Sequence, residues 1–125
     1  MATITLSTAA CLTGLSKRTL WRRVTDGLLH LQGDATQGEH ARVPLEEILP
    51  LSRLHLEPED FALLLDADAG QAEAQCDLAL EFIMQKMPAE AVQWLKESAR
   101  QHYPEAVHQL GRCHIAGTGV APDEA

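Results

Sequence analysis

The sequence predicts a mainly α protein of two modules, a small helix-turn-helix unit over residues 1–54 and stacked helix hairpins over residues 58–125. Apolar residues recur at helical spacing in both modules, and glycine or proline interrupts the pattern at the expected turns. Charge also divides the chain: the stretch 1–54 carries six basic and five acidic side chains, whereas 55–125 carries four basic and 13 acidic ones. Net charges of +1 and −9 indicate two modules with different partners.

The composition narrows the class of protein. A chain of 125 residues suffices for one ordinary domain or two very small ones, and its apolar content favours a packed core over disorder. No apolar run has the length of a membrane span, and the N-terminus lacks a basic-then-apolar signal segment. The odd, scattered set of Cys11, Cys76 and Cys113 is typical of free thiols in a reducing compartment, so we expect a cytoplasmic protein without a membrane partner.

The first module begins with two predicted helices. Ser7 and Ser16 each precede a helical pattern and are the expected N-caps, because a serine hydroxyl accepts an unpaired N–H of the first turn. The helices are predicted over residues 8–13 and 17–26, with Gly14 in the turn between them. Two short helices joined by a glycine-containing turn form a helix-turn-helix pattern.

Two predicted strands follow these helices. Residues 28–31 and 40–43 are expected to pair as a hairpin, with residues 32–38 as its loop, or wing. Pro44 then precedes a short predicted helix over residues 45–49. The predicted fold class is therefore mainly α, a small winged helix-turn-helix followed by an α-solenoid of helix-hairpin repeats.

This stretch resembles a known family over roughly residues 3–50. The matching residues are Leu6-Ser7, Ala10, Thr13-Gly14-Leu15-Ser16-Lys17-Arg18-Thr19-Leu20-Trp21-Arg22-Arg23, Gly27-Leu28 and Arg42-Val43-Pro44-Leu45-Glu46-Glu47-Ile48, and they resemble the excisionase and MerR-like winged helix-turn-helix. The resemblance implies DNA contacts by residues of the second helix in the major groove and by one wing residue on the flanking backbone. These residues are Lys17, Arg18, Thr19, Trp21, Arg22 and, in the wing, Arg42.

The residue types fit that role, but a structural alternative stays open. Arginine can hold phosphate or guanine by two parallel hydrogen bonds, and a helix N-terminus favours phosphate. Asp34 and Glu39 make the wing less basic than the family pattern, which weakens the expected wing contacts. Basic residues on an exposed helix also occur as a merely solvated face, and Trp21 can equally cover the core, so a retained fold that does not bind DNA remains an alternative.

The second module contains an internal repeat. One constant shift along the chain aligns Ala74 with Ala106 and Leu78 with Leu110. A repeat whose length is the distance in sequence from Ala74 to Ala106 indicates helix pairs stacked in a solenoid, although chance matching in an Ala- and Leu-rich sequence remains an alternative. The predicted helices begin near Glu57-Pro58, Gln71, Ala89 and Pro104 and end near Gly70, Gln85, Gln101 and Gly117. Gly111 on the last helix is expected to let a second helix approach closely.

The end of the chain carries a second family resemblance, covering roughly residues 58–125. Ala106, Leu110-Gly111, His114, Gly117-Thr118-Gly119-Val120 and Asp123-Glu124-Ala125 resemble a Sel-one-like repeat, a relative of the tetratricopeptide repeat, and Ala91, Trp94 and Ser98-Ala99 resemble its second helix. Two departures stand out. His114 replaces the usual aromatic, and Met84-Gln85-Lys86-Met87 occupies the place of the first glycine loop.

In such an array the last residues would begin another helix. We therefore expect either a truncated chain or a last helix that leaves an apolar face open. The residues expected on this face are Leu110, His114 and Val120. A partner protein or a second copy of the chain would cover it, which makes a homodimer one possibility.

The sequence offers no catalytic or metal motif. His102, His108, Cys113 and His114 lie close together, but their spacing fits no tetrahedral zinc signature. No glycine-rich phosphate loop, nucleophile elbow or His-Glu-x-x-His stretch is present, so we expect neither an enzyme nor a cofactor. Two hypotheses remain: a cytoplasmic, bacterial-type adaptor that binds DNA through the first module and protein through the second, or a scaffold that uses both modules for protein docking.

Overall fold

The computed structural model describes residues 2–32 and 41–116, which are mainly helical. The chain divides into two compact units, Met1–His55 and Leu56–Ala125, called unit 1 and unit 2 below. No helix among the described residues is long and apolar enough to span a membrane.

In its described residues, unit 1 combines three helices with two short strands. Strand β1 (Thr3–Thr5) leads directly into helix α1 (Leu6–Thr13), and helix α2 (Lys17–Thr25) follows after a short turn. Strand β2 (Arg42–Pro44) pairs antiparallel with β1 and leads into helix α3 (Leu45–Ile48) and a short 3-10 turn. The core side chains are fully buried and come from the helices, the strands and the segment that follows the 3-10 turn: Ile4, Leu12, Leu20, Val43, Ile48 and Leu54.

The helix caps of unit 1 were predicted in part. Ser16 caps α2 as expected, because its hydroxyl accepts the backbone N–H of Thr19 at 3.1 Å. The prediction that Ser7 caps α1 was wrong: the cap is Thr5, whose hydroxyl accepts the N–H of Thr8 at 3.3 Å. Strand β1 ends at Thr5, so the helix begins at Leu6, earlier than the sequence pattern suggested.

The predicted hairpin of residues 28–31 with residues 40–43 was also wrong within the described residues. β2 pairs with β1, with Ile4 opposite Val43, and residues 28–31 form no strand. Next to residues 28–31, the described structure has one isolated β-bridge to β2, in which the N–H of Gln32 donates to the carbonyl of Arg42 at 2.8 Å. Residues 33–40, which include all but the first residue of the predicted wing loop, lie outside the described residues.

Unit 2 consists, in its described part, of four helices joined by short turns. A 3-10 turn (Pro58–Asp60) leads into α4 (Phe61–Asp68), which is followed by α5 (Ala72–Met84), α6 (Pro88–Arg100) and α7 (Pro104–Ala116). Each helix packs on the next one along the chain. The core of the unit is apolar and contains Leu64, Ala67, Leu78, Ala79, Phe82, Ala91, Leu95 and Ala106.

The helix boundaries follow the repeat found in the sequence. The shift that aligns Ala74 with Ala106 also brings both ends of α5 onto the corresponding ends of α7. The same shift brings Gly70, in the turn after α4, onto His102, in the turn after α6, and both have positive φ, at 103° and 62°. Glycine tolerates this conformation far better than histidine, so the second turn keeps the backbone of the first at a cost in strain.

Candidate functional sites

The turn between α1 and α2 is held by side-chain and backbone hydrogen bonds. Gly14 ends α1 with φ 74°, and its N–H donates to the carbonyl of Ala10 at 2.9 Å. The buried hydroxyl of Thr13 donates to the carbonyl of Ala9 at 2.8 Å and accepts the N–H of Leu15 at 3.2 Å. These bonds hold the turn to the last residues of α1.

Three cations of α2 are exposed. Lys17, Arg18 and Arg22 face solvent, while Leu20 of the same helix is fully buried. In the described part of the chain, none of the three forms an ion pair or a side-chain hydrogen bond. No carboxylate lies within α2 itself, although Asp26 follows at its end, so these charges of one sign favour a locally positive surface in a protein of net charge −8.

Thr19 and Trp21 are half-buried and therefore less available than these cations. The hydroxyl of Thr19 accepts a hydrogen bond from the Ser16 hydroxyl at 3.0 Å, so Thr19 takes part in the helix cap. Arg23 was not among the predicted contact residues; its Nε is buried and has no hydrogen-bond partner among the described residues. A buried guanidinium nitrogen without an acceptor lowers the stability of the fold. No local sequence signal predicted that Arg23 would be buried in this way.

Arg42 binds within unit 1. Its Nε donates to the Thr3 hydroxyl at 2.9 Å and its Nη2 donates to the Thr3 carbonyl at 2.8 Å. The guanidinium therefore bridges β2 to β1, at the strand pair that replaces the predicted wing hairpin. This internal role was missed by sequence reasoning, because the partner lies 39 positions away in the chain.

The face of α7 differs from the expected one. Leu110 and His114 are half-buried, whereas Val107 and Ile115 are 53% and 88% exposed. Val120 lies outside the described residues. Gly111 is exposed, and a β-carbon built on it would meet no atom within 4 Å, so the expected close approach of a second helix at Gly111 is absent from the described structure. Val107, Gly111 and Ile115 recur every four residues and therefore share one stripe, called the α7 stripe below.

The repeat explains why the α7 stripe is exposed. The residues of α5 that align with Val107 and Gly111 are Gln75 and Ala79, and both are buried. Gln75 donates to the carbonyl of Ala67 at 3.2 Å and accepts from the Gln101 side chain at 3.0 Å, which joins α5 to α4 and to the end of α6. The α7 stripe thus corresponds to a face that is covered in α5, and no described residue covers it in α7.

A second polar bond joins α5 to α6. Ser98 of α6 is fully buried, and its hydroxyl donates to the carbonyl of Ala72 at the start of α5, at 2.7 Å. Sequence reasoning placed Ser98 only by family resemblance and missed Gln75. Buried polar groups with satisfied bonds restrict how two helices can pack, so these bonds set the register between α5 and α6.

The described residues hold no group of three His, Cys, Asp or Glu side chains close enough to bind a metal ion. None of the three cysteines forms a disulfide; Cys76 and Cys113 are buried, and Cys11 is half-buried. Burial, followed by the charges of Asp77 and Glu105, raises the pKa of Cys76 above its ordinary value. The thiol is therefore held in its neutral, less nucleophilic form.

Comparison with models of protein families, with curated proteins and with solved structures found no match for this chain. The candidate sites consequently depend on the residues and the geometry alone.

Proposed function

We propose that this protein is a DNA-binding regulatory adaptor, in which unit 1 contacts DNA through α2 and unit 2 binds another protein, or a second copy of the chain, through its helical repeats. The observation that carries the proposal is the set of exposed cations Lys17, Arg18 and Arg22, which have no acidic partner in the described structure. Unpaired arginines are the side chains best suited to phosphate and to guanine edges.

The distribution of charge supports separate roles for the two units. Unit 2 contains most of the acidic residues of the chain, and phosphates repel such a surface. DNA would therefore meet the protein through α2, with the resemblance to the excisionase and MerR-like winged helix-turn-helix as a second support. Arg42 is a weaker candidate for a DNA contact than the α2 cations, because two of its bonds hold Thr3.

The protein-binding role is supported by the α7 stripe. In unit 2 the equivalent helix α5 packs on the helix that follows it, and a solenoid extends by adding such helices. Val107 and Ile115 are among the large apolar side chains most exposed in the described residues. An apolar helical surface of this kind takes an amphipathic helix of a partner, which would extend the stack beyond α7.

A titration of a fluorescein-labelled random duplex at low salt, followed by anisotropy, tests the DNA-binding role. We expect salt-sensitive binding by the wild type and none by Arg18→Glu plus Arg22→Glu. The matched control is Lys96→Glu plus Arg112→Glu, which changes net charge equally but alters exposed residues of unit 2. Binding by that control and not by the α2 variant would support an interface on α2.

The alternative function is a scaffold that docks proteins with both units, and the net charge of −8 favours it. Absence of binding by the wild type at low salt would support the scaffold. Light scattering with and without the duplex measures the oligomeric state. This state is relevant because helix-turn-helix proteins commonly bind two half-sites as dimers.

A further inference from the structure

Arg53 is a cation that no sequence motif marks. The chain returns from α3 to α1 at this residue, where the N–H of Arg53 donates to the carbonyl of Leu12 at 2.7 Å. The next residue, Leu54, is buried, and its carbonyl accepts the hydroxyl of Ser52 at 2.8 Å. The backbone on both sides of Arg53 is therefore fixed, whereas its side chain is exposed.

The side chain of Arg53 lies against the turn between α1 and α2. A β-carbon built on Gly14 would lie 2.8 Å from Nη1 and 2.9 Å from Cδ of Arg53, closer than such atoms can approach. Glycine at position 14 allows φ 74°, and the stem of Arg53 lies over it. Of the described residues, none forms an ion pair or hydrogen bond with the Arg53 guanidinium.

This placement puts a further cation beside the N-terminal end of α2, next to the exposed cations of that helix. Ser16 and Lys17 follow closely after Gly14, so Arg53 lies at the turn from which the exposed cations of α2 extend. Because the backbone of Arg53 is held, only its side chain has to be ordered when it binds an anion, and guanidinium binds phosphate by two parallel bonds.

We infer that Arg53 binds a backbone phosphate of the DNA over the turn between α1 and α2, an inference that rests on the proposed DNA-binding function. A phosphate contact of this kind orients the protein without reading the sequence. Arg53 would therefore strengthen binding to every duplex and fix the angle at which α2 enters the groove.

The salt dependence of duplex binding tests the inference with the full-length chain. Each phosphate contact adds about 0.9 to the slope of log K against log salt, so Arg53→Gln should lower that slope by about 0.9 and weaken binding by about eightfold at about 0.1 M salt. The loss should be equal for two duplexes of unrelated sequence. Arg53→Met keeps an apolar stem over Gly14 and should give the same loss, whereas Arg53→Lys keeps the charge and should retain the slope. Arg100→Gln, an exposed arginine of unit 2, is the control and should leave the slope unchanged.

The possible failures are distinguishable. A wild type that binds no duplex overturns the proposed function together with this inference. If Arg53→Gln and Arg53→Met bind the duplex as tightly as the wild type and with the same salt slope, the inference about Arg53 is overturned, but the proposed function is not. A loss that Arg53→Lys shares in full, with the Trp21 fluorescence changed, assigns Arg53 to the fold and also overturns it.

Discussion

Two glycines of unit 2 allow one substitution to be tested in opposite backbone settings. Gly111 lies inside α7, whereas Gly70 lies at the turn after α4 with φ 103°. Among the described residues, no neighbouring side chain or packed element lies within 4 Å of a β-carbon at either position, so neither alanine gains or loses packing there. Only the backbone then decides the result of replacing each glycine by alanine.

The expected changes in unfolding free energy have opposite signs. Alanine is favoured over glycine by about 1 kcal/mol inside a helix, so Gly111→Ala should stabilise unit 2 by about that amount. In a unit of this size, about 1 kcal/mol corresponds to a Tm increase of about 4–8 °C. Gly70→Ala puts an L-residue at positive φ and should destabilise the unit by about 1–2 kcal/mol.

Urea denaturation followed by tryptophan fluorescence measures both effects. Trp94 is buried in unit 2 and Trp21 belongs to unit 1, so a Trp21→Phe background leaves Trp94 as the reporter of unit 2. If Gly111→Ala leaves the unfolding free energy unchanged or lowers it, a helix packs on the α7 stripe in solution and the account of an open stripe is wrong. If Gly70→Ala is neutral, the backbone reasoning at that turn fails.

Three further predictions concern the caps, the helix register and pH. Thr5→Ala should destabilise unit 1 by about 1 kcal/mol and Ser7→Ala by less than about 0.5 kcal/mol, by thermal denaturation; equal effects would refute the assigned cap. Ser98→Ala should cost unit 2 about 1 kcal/mol in urea denaturation, and no change would mean that its bond to Ala72 is unimportant. Burial and nearby carboxylates raise the pKa of Cys76, so the unfolded thiol loses its proton at lower pH than the folded one; the unfolding free energy should fall from about pH 8.5 upward, and Cys76→Ala should remove that part of the fall. A dependence unaltered by Cys76→Ala would refute this cause.

Local signals in the sequence predicted helices well. Ser16 stands directly before an apolar-periodic stretch, and α2 begins where that signal places it. The internal repeat predicted the spacing of α5 and α7, because a repeated pattern of apolar residues constrains helix positions twice. The expected end of α7 at Gly117 lies outside the described residues.

Long-range pairings could not be predicted in the same way. The sequence pattern predicts a strand near β2 but does not say whether β1 or residues 28–31 will pair with it. The partner is β1, which ends at Thr5, the residue that caps α1 in place of Ser7. Arg53 illustrates the limit for function. Nothing in its local sequence distinguishes it from a solvated surface residue, and only the return of the chain to Leu12 brings it to Gly14.

The proposed division between a DNA-binding unit and a protein-binding unit can be tested residue by residue. We would titrate the ¹⁵N-labelled full-length chain with a short duplex and follow each backbone amide by NMR. The account predicts shifts at Gly14–Arg22 and Arg53, with the amides of α5 to α7 unchanged at equimolar DNA. Shifts concentrated in α5 to α7, or none anywhere at low salt, would contradict it.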